Sequence, residues 1–251
     1  MSMHRALPTF VALAVAVGHL AVPASAAPTP VTVRVLSQDA KFVGDGTGGA
    51  SVTLRDAVSG KVLAAGLVQG GTGNTDKIMQ SSGRSPQRAS ADAAGFNTSV
   101  DIDRPTLVEL EVSGPLGRPS SAVTIKSQRW MMPGEAVTAG DGWSVELPGL
   151  AITPVASLTE GRLHISAKVE PMCGCPITPG GLWDSANYRV TASLWQTGRA
   201  LGQSDMTFAV SPGGYQGDIA VAGNGELTLV IFARNTVTGA SGMAQVPIQQ
   251  R

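Results

Sequence analysis

Apolar residues in this chain recur at every second position over short runs, and glycine and proline cut the runs apart. Val31, Val33 and Val35 alternate with Thr32 and Arg34, the period of a strand with one buried face. Ala50-Ser51-Val52-Thr53-Leu54-Arg55 repeats the pattern, turns through Val58-Ser59-Gly60 and returns as Lys61-Val62-Leu63-Ala64, a hairpin with glycine in the turn. Further strands are expected over 96–102, 107–112, 122–130, 162–170, 187–195, 206–210, 215–221, 226–233 and 243–248. No stretch sustains the 3.6-residue period of a helix. Such a chain buries its apolar residues by stacking sheets, and short strands at near-regular spacing indicate an all-β fold of two β-sandwiches.

The N-terminus carries a separate signal. His4 and Arg5 precede an apolar run from Leu7 to Val22, and Ala24-Ser25-Ala26 follows, the layout of a signal peptide over 1–26 with cleavage before Ala27. The run contains Pro8 and Gly18 and is shorter than the roughly 20 apolar residues of a membrane span. A periplasmic or secreted protein without stable membrane insertion is expected. The 18 basic and 18 acidic residues cancel, so no whole-chain field recruits nucleic acid or an anionic surface.

The expected organisation is a first sandwich over 27–130, a connecting segment over 131–160 and a second sandwich over 161–251. The connector is read from turn signals at Pro133-Gly134, Gly140-Asp141-Gly142 and Pro148-Gly149, and it separates the two strand-rich halves. Within the first sandwich, 69–94 is a long polar loop with Lys77, Arg84 and Arg88 but little apolar periodicity. Low apolar content gives it little to bury, so it reads as a mobile insertion, or else as a binding loop.

Gly49-Ala50-Ser51-Val52-Thr53-Leu54-Arg55-Asp56 with Ser59-Gly60-Lys61-Val62, then Gly95-Phe96 and Leu107-Val108-Glu109-Leu110-Glu111-Val112, resembles the carboxypeptidase regulatory-like (transthyretin-like) sandwich. The likeness spans roughly 31–127 and departs from the family pattern in the insertion after Gly71. The tail from Tyr188 through Tyr215-Gln216-Gly217 and Gly225-Glu226-Leu227 to Gly242 is similar to bacterial immunoglobulin-like modules. Both resemblances imply noncatalytic binding or spacer modules and supply no catalytic residues.

The residues themselves also argue against an enzyme. There is no G-x-S-x-G, S-x-x-K, H-E-x-x-H or phosphate-loop pattern. After signal cleavage His164 is the single histidine, too few for a multi-histidine metal site. It alternates with Ile165, as an exposed strand residue does. Asp101 with Asp103 and Glu109 with Glu111 each share one strand face, which reads as the solvated side of a sheet rather than a carboxylate dyad.

One segment stands out chemically, Glu170-Pro171-Met172-Cys173-Gly174-Cys175-Pro176-Ile177-Thr178-Pro179-Gly180-Gly181-Leu182-Trp183-Asp184. It holds both cysteines of the chain, and its prolines exclude a helix at the thiols. Three readings are open. Met172, Cys173 and Cys175 can bind Cu(I) or another soft metal through two thiolates and a thioether, with Met131 and Met132 as further sulfur donors. The cysteines can act as a thiol redox pair, although neither a helix start nor an adjacent base lowers a thiol pKa here. They can form a disulfide, whose Cα atoms would lie about 6.5 Å apart in an extended segment. The leading expectation is an exported noncatalytic protein that binds Cu(I) at this loop. The alternatives are an adhesion or scaffolding module that binds a protein or glycan, and a thiol redox protein.

Overall fold

The computed structural model describes residues 27–84, 86–221 and 225–248; the signal peptide expected over 1–26 lies outside them. The chain is nearly all β, as the alternation requires, and its sheets stack as sandwiches. The first sandwich has two layers. One is a three-stranded sheet in the order β4 (Phe96–Ile102), β1 (Ala27–Ser37), β7 (Trp143–Leu147); the other runs β3 (Val62–Val68), β2 (Ala50–Asp56), β5 (Thr106–Gly114), β6 (Val123–Met131). The buried side chains of β5 alternate as Val108, Leu110 and Val112, while Glu109 and Glu111 face outward. Lys126 of β6 bridges both glutamates at 3.0 Å, so this carboxylate pair lies on a solvated face, as its spacing indicates. Gly66 of β3 leaves room for the Phe96 ring of β4, which a Cβ would strike. An aromatic from one layer thereby covers a glycine of the other.

Two stretches differ from the sequence reading. The segment 131–160 is no simple connector, because it contains β7 and the whole of β8 (Leu150–Thr159). Trp143, Val145 and Leu147 of β7 align in parallel with Val33, Val35 and Ser37 of β1. A parallel neighbour requires a crossover rather than a hairpin, so local turn signals could not reveal it. Pro154 stands within β8, the terminal strand of its sheet, where a residue without an N–H is tolerated.

The second difference is the loop 69–94, which is anchored rather than loosely attached. It contains the short helix α1 (Thr75–Met79), whose first turn is capped when Asn74 Oδ1 accepts from Lys77 N. Ile78, Ala89 and Ala94 are buried in the first core. The Asp141 carboxylate accepts from the N–H groups of Arg88 and Ala89 at 2.8 Å each. Few apolar residues suffice because a distant carboxylate and the strand-like bridges Gln69↔Gly95 and Gly71↔Ala93 hold the backbone.

The second sandwich is one seven-stranded sheet folded over on itself, in the order β16-β15-β12-β13-β14-β9-β8. Besides β8 it comprises β9 (Arg162–Pro171), β12 (Tyr188–Gln196), β13 (Arg199–Val210), β14 (Gly214–Ala220), β15 (Leu227–Asn235) and β16 (Ser241–Ile248), with two-residue strands β10 (Ile177–Thr178) and β11 (Trp183–Asp184) in the loop between β9 and β12. Strand β13 serves both layers: Arg199–Met206 pairs with β12, and the stretch from Thr207 pairs with β14. Strand switching of this kind makes the corner of a sandwich. Leu163, Ile165, Leu194, Leu229 and Ile231 converge in its core.

Polar contacts join the sandwiches. Ser121 Oγ accepts from Ile152 N at 2.9 Å. Glu170, buried to 2% exposure, receives Arg118 Nε from the first sandwich at 2.7 Å and Lys168 Nζ at 2.6 Å. A carboxylate so buried is tolerable because both oxygens meet a cation.

Candidate functional site

The cysteine-bearing loop lies where the sandwiches meet. Cys173 and Cys175 are joined as a disulfide with Cα atoms 5.5 Å apart. The separation is shorter than an extended segment gives because Gly174 turns with φ at 77° and its N–H closes onto the Pro171 carbonyl at 2.8 Å. A side chain at 174 would also meet Thr47 Cγ2 at 2.8 Å, so glycine is required on both counts. Thr47 Oγ1 donates to the Met172 carbonyl at 3.1 Å, which ties the loop to the first sandwich.

The three sulfur residues expected to act together are buried but separated by role. Met172 packs into the core of the first sandwich with Leu147 and Ala151, while Cys173 and Cys175 pack with Ala40 and Trp183. With the cysteines paired, the two thiolates of the Cu(I) reading exist only in the reduced chain. Met131 is likewise in the first core and Met132 is half exposed, so neither is adjacent in role to the disulfide. Among the described residues no group of three or more His, Cys, Asp or Glu is arranged to hold a metal ion. His164 stands on the outer face of β9, with Nδ1 2.6 Å from Asp218 Oδ1 on β14.

Beside the disulfide the two sandwiches leave a cleft of about 320 Å³. The turn after β1 supplies Gln38 and Asp39, the end of α1 supplies Met79, the cysteine loop supplies Leu182, Trp183 and Asp184, and the second sandwich supplies Asn187, Tyr188 and the turn that holds Asn235 and Val237. Trp183 is fixed twice, by packing against the disulfide and by donation from its indole N–H to the Asp39 carbonyl at 3.1 Å. Asp39 itself adopts φ of 53°, a left-handed turn conformation that aspartate tolerates better than most residues. Leu182 and Val237 expose apolar surface at the rim.

The cleft chemistry is acidic and aromatic. Asp184 Oδ1 accepts from Ala186 N at 3.1 Å and from Gly180 N at 3.0 Å, and these backbone donors, Ala186 first, hold its carboxyl below the usual aspartate range. Burial raises the Tyr188 phenol, a hydrogen bond with Asn235 opposes the rise and the Asp39 charge adds to it. Asn235 is itself fixed, because its Oδ1 accepts from the N–H groups of Val237 and Thr238. No Lys, Arg or His lines the cleft among the described residues. Arg189 turns its guanidinium to the carbonyls of Ala186 and Tyr188.

The sequence reading singled out the cysteines but missed Trp183 and Asp39 as one site. Trp183 and Asp184 lie in the same proline-stiffened segment as the cysteines, and an aromatic-acid pair in such a loop is a usable local signal. Asp39 lies 144 positions before Trp183, and nothing local marks it.

No known protein family matches the chain, and no curated protein matches it. Among solved structures it is similar to a DUF3823 family protein from Bacteroides ovatus ATCC 8483, with 8% identity and a TM-score of 0.33 over 89% of this chain and all of the other.

Proposed function

We propose that this is an exported, noncatalytic binding protein, with a transthyretin-like first sandwich and an immunoglobulin-like second one, that holds its ligand in the cleft between them. The observation that carries the reading is the fixed Trp183 ring in a concave site lined by a few convergent polar groups, the usual composition of a ligand pocket. Export is supported by the signal-like N-terminus and by a disulfide, which suits an oxidising compartment. The adhesion reading, with a protein or glycan partner, becomes a special case in which part of that partner enters the cleft.

The test is amide and indole NMR on labelled protein against a panel of sugars, amino acids and organic amines. At least one class is expected to shift the Trp183 indole and the amides of Asn235 and Val237, and Trp183→Ala to abolish the response. Saturable binding that leaves these resonances unmoved would place the ligand elsewhere and overturn the reading.

A second reading concerns the reduced chain. The 5.5 Å Cα separation sets two thiols side by side once the disulfide is opened, a suitable pair for Cu(I). Reduced protein is expected to compete with a Cu(I) chelator through Cys173 and Cys175, with Met172→Leu weakening binding less than either cysteine-to-serine change. Equal competition by the wild type and the double-serine variant removes this reading and leaves the cleft untouched.

A further inference from the structure

We propose that the ligand of this cleft is a small organic cation, an ammonium group carried on apolar carbon. The inference rests on the cleft reading above and adds to it the class of ligand. Two carboxylates, Asp39 and Asp184, line the site without a lining base among the described residues, so a cation entering it meets uncompensated negative charge. On its far side Asp39 borders a second groove that holds Glu146 and Arg88; Arg88 is part of that groove and not of the cleft.

Charge alone would fit a metal ion equally well, and the rest of the lining decides against one. Met79, Leu182 and Val237 give apolar walls, which cannot replace the oxygen ligands of a hard cation. Trp183 instead offers an aromatic ring, and an organic ammonium gains from a ring face while its methyl or methylene groups bury against carbon. The site is also built before the ligand arrives. The disulfide packs on Trp183, the Asp39 carbonyl receives its indole N–H, and the N–H groups of Val237 and Thr238 hold the Asn235 side chain. A volume of about 320 Å³ suits a ligand of choline size, at the small end of ligand pockets.

The experiment titrates labelled protein with choline and, separately, with 3,3-dimethylbutan-1-ol, its uncharged isostere, following the Trp183 indole and the Asn235 and Val237 amides. Choline is expected to shift these resonances saturably and at least about tenfold more tightly than the alcohol, the size of a cation over a desolvated ring. Raising the salt concentration should weaken choline binding and leave the alcohol unaffected. Asp39→Asn, which keeps the left-handed turn, should weaken choline several-fold and leave the alcohol unchanged. Asp184→Asn should do the same, and its amide spectrum checks that the turn it caps survives. Equal affinity for the two probes, or an unchanged choline affinity in Asp39→Asn, overturns the cation inference while leaving a cleft for an uncharged ligand. If no member of the wider panel moves the cleft resonances, the cleft reading falls and this inference falls with it.

Discussion

Single residues show how far local pattern carries. Tyr215 alternates into the second core as its strand predicts, with 2% exposure, and packs edge-to-face on Phe208 with ring centroids 5.4 Å apart. Its hydroxyl has no hydrogen-bond partner among the described residues, which no strand pattern reveals. Burial, then the neighbouring Tyr188, pushes its pKa up to about 12, with Arg189 opposing. The folded state therefore holds the phenolic proton more tightly than the unfolded chain does. The stability contributed by the neutral form is complete below the ordinary tyrosine pKa and is lost as pH rises from there toward about 12. Tyr215→Phe is expected to flatten that alkaline decline and to be neutral or stabilising by about 1 kcal/mol at neutral pH, because it removes an unpaired buried hydroxyl. Urea unfolding at neutral and alkaline pH measures both. A loss of stability at neutral pH would mean that the hydroxyl has a partner.

At the scale of elements, strands with strict alternation were legible and those defined by distant neighbours were not. The runs 96–102 and 107–112 were readable because both faces of each strand have different environments. β7 carries the same alternation in Trp143, Val145 and Leu147, but three glycine-containing turns around it suggested a connector, and its parallel partner β1 lies more than a hundred residues earlier. The polar loop 69–94 follows the same rule: the carboxylate of Asp141, 52 residues beyond Ala89, accepts from its backbone, beside the burial of Ile78, Ala89 and Ala94 in the first core. Limited trypsin digestion of the wild type is therefore expected to spare the bond after Arg88, and Asp141→Ala to speed cleavage there roughly tenfold, since the loss of charge-assisted bonds of about 1.5–3 kcal/mol shifts local opening. Cleavage after Arg88 first in the wild type, at the rate of the variant, would restore the mobile-loop picture.

At the scale of the whole molecule the two sandwiches share a boundary that is packed and hydrogen-bonded. Met172 belongs to the second half by sequence but fills the first core, and the Arg118–Glu170 pair spans the junction. Met172→Ala is expected to cost about 2–5 kcal/mol, as core truncations do, with the loss appearing in hydrogen exchange of β1, β2 and β5 rather than of the second sandwich. A loss confined to β9 and its neighbours would contradict the assignment of Met172. The sequence by itself determined that the chain is all β, where most strands run, and that the Cys173–Cys175 loop is chemically distinct, because alternation, turn residues and cysteine spacing are local properties. Only the tertiary structure decided that this loop closes a boundary between sandwiches, that Met172 leaves the sulfur cluster for the first core, and that Trp183 meets Asp39 across a cleft. Those facts depend on which surfaces stack. Sheet stacking is driven by non-directional burial of apolar area, so the pairs that end up in contact are set by the packing of the whole chain and leave no mark on the residues beside each in sequence.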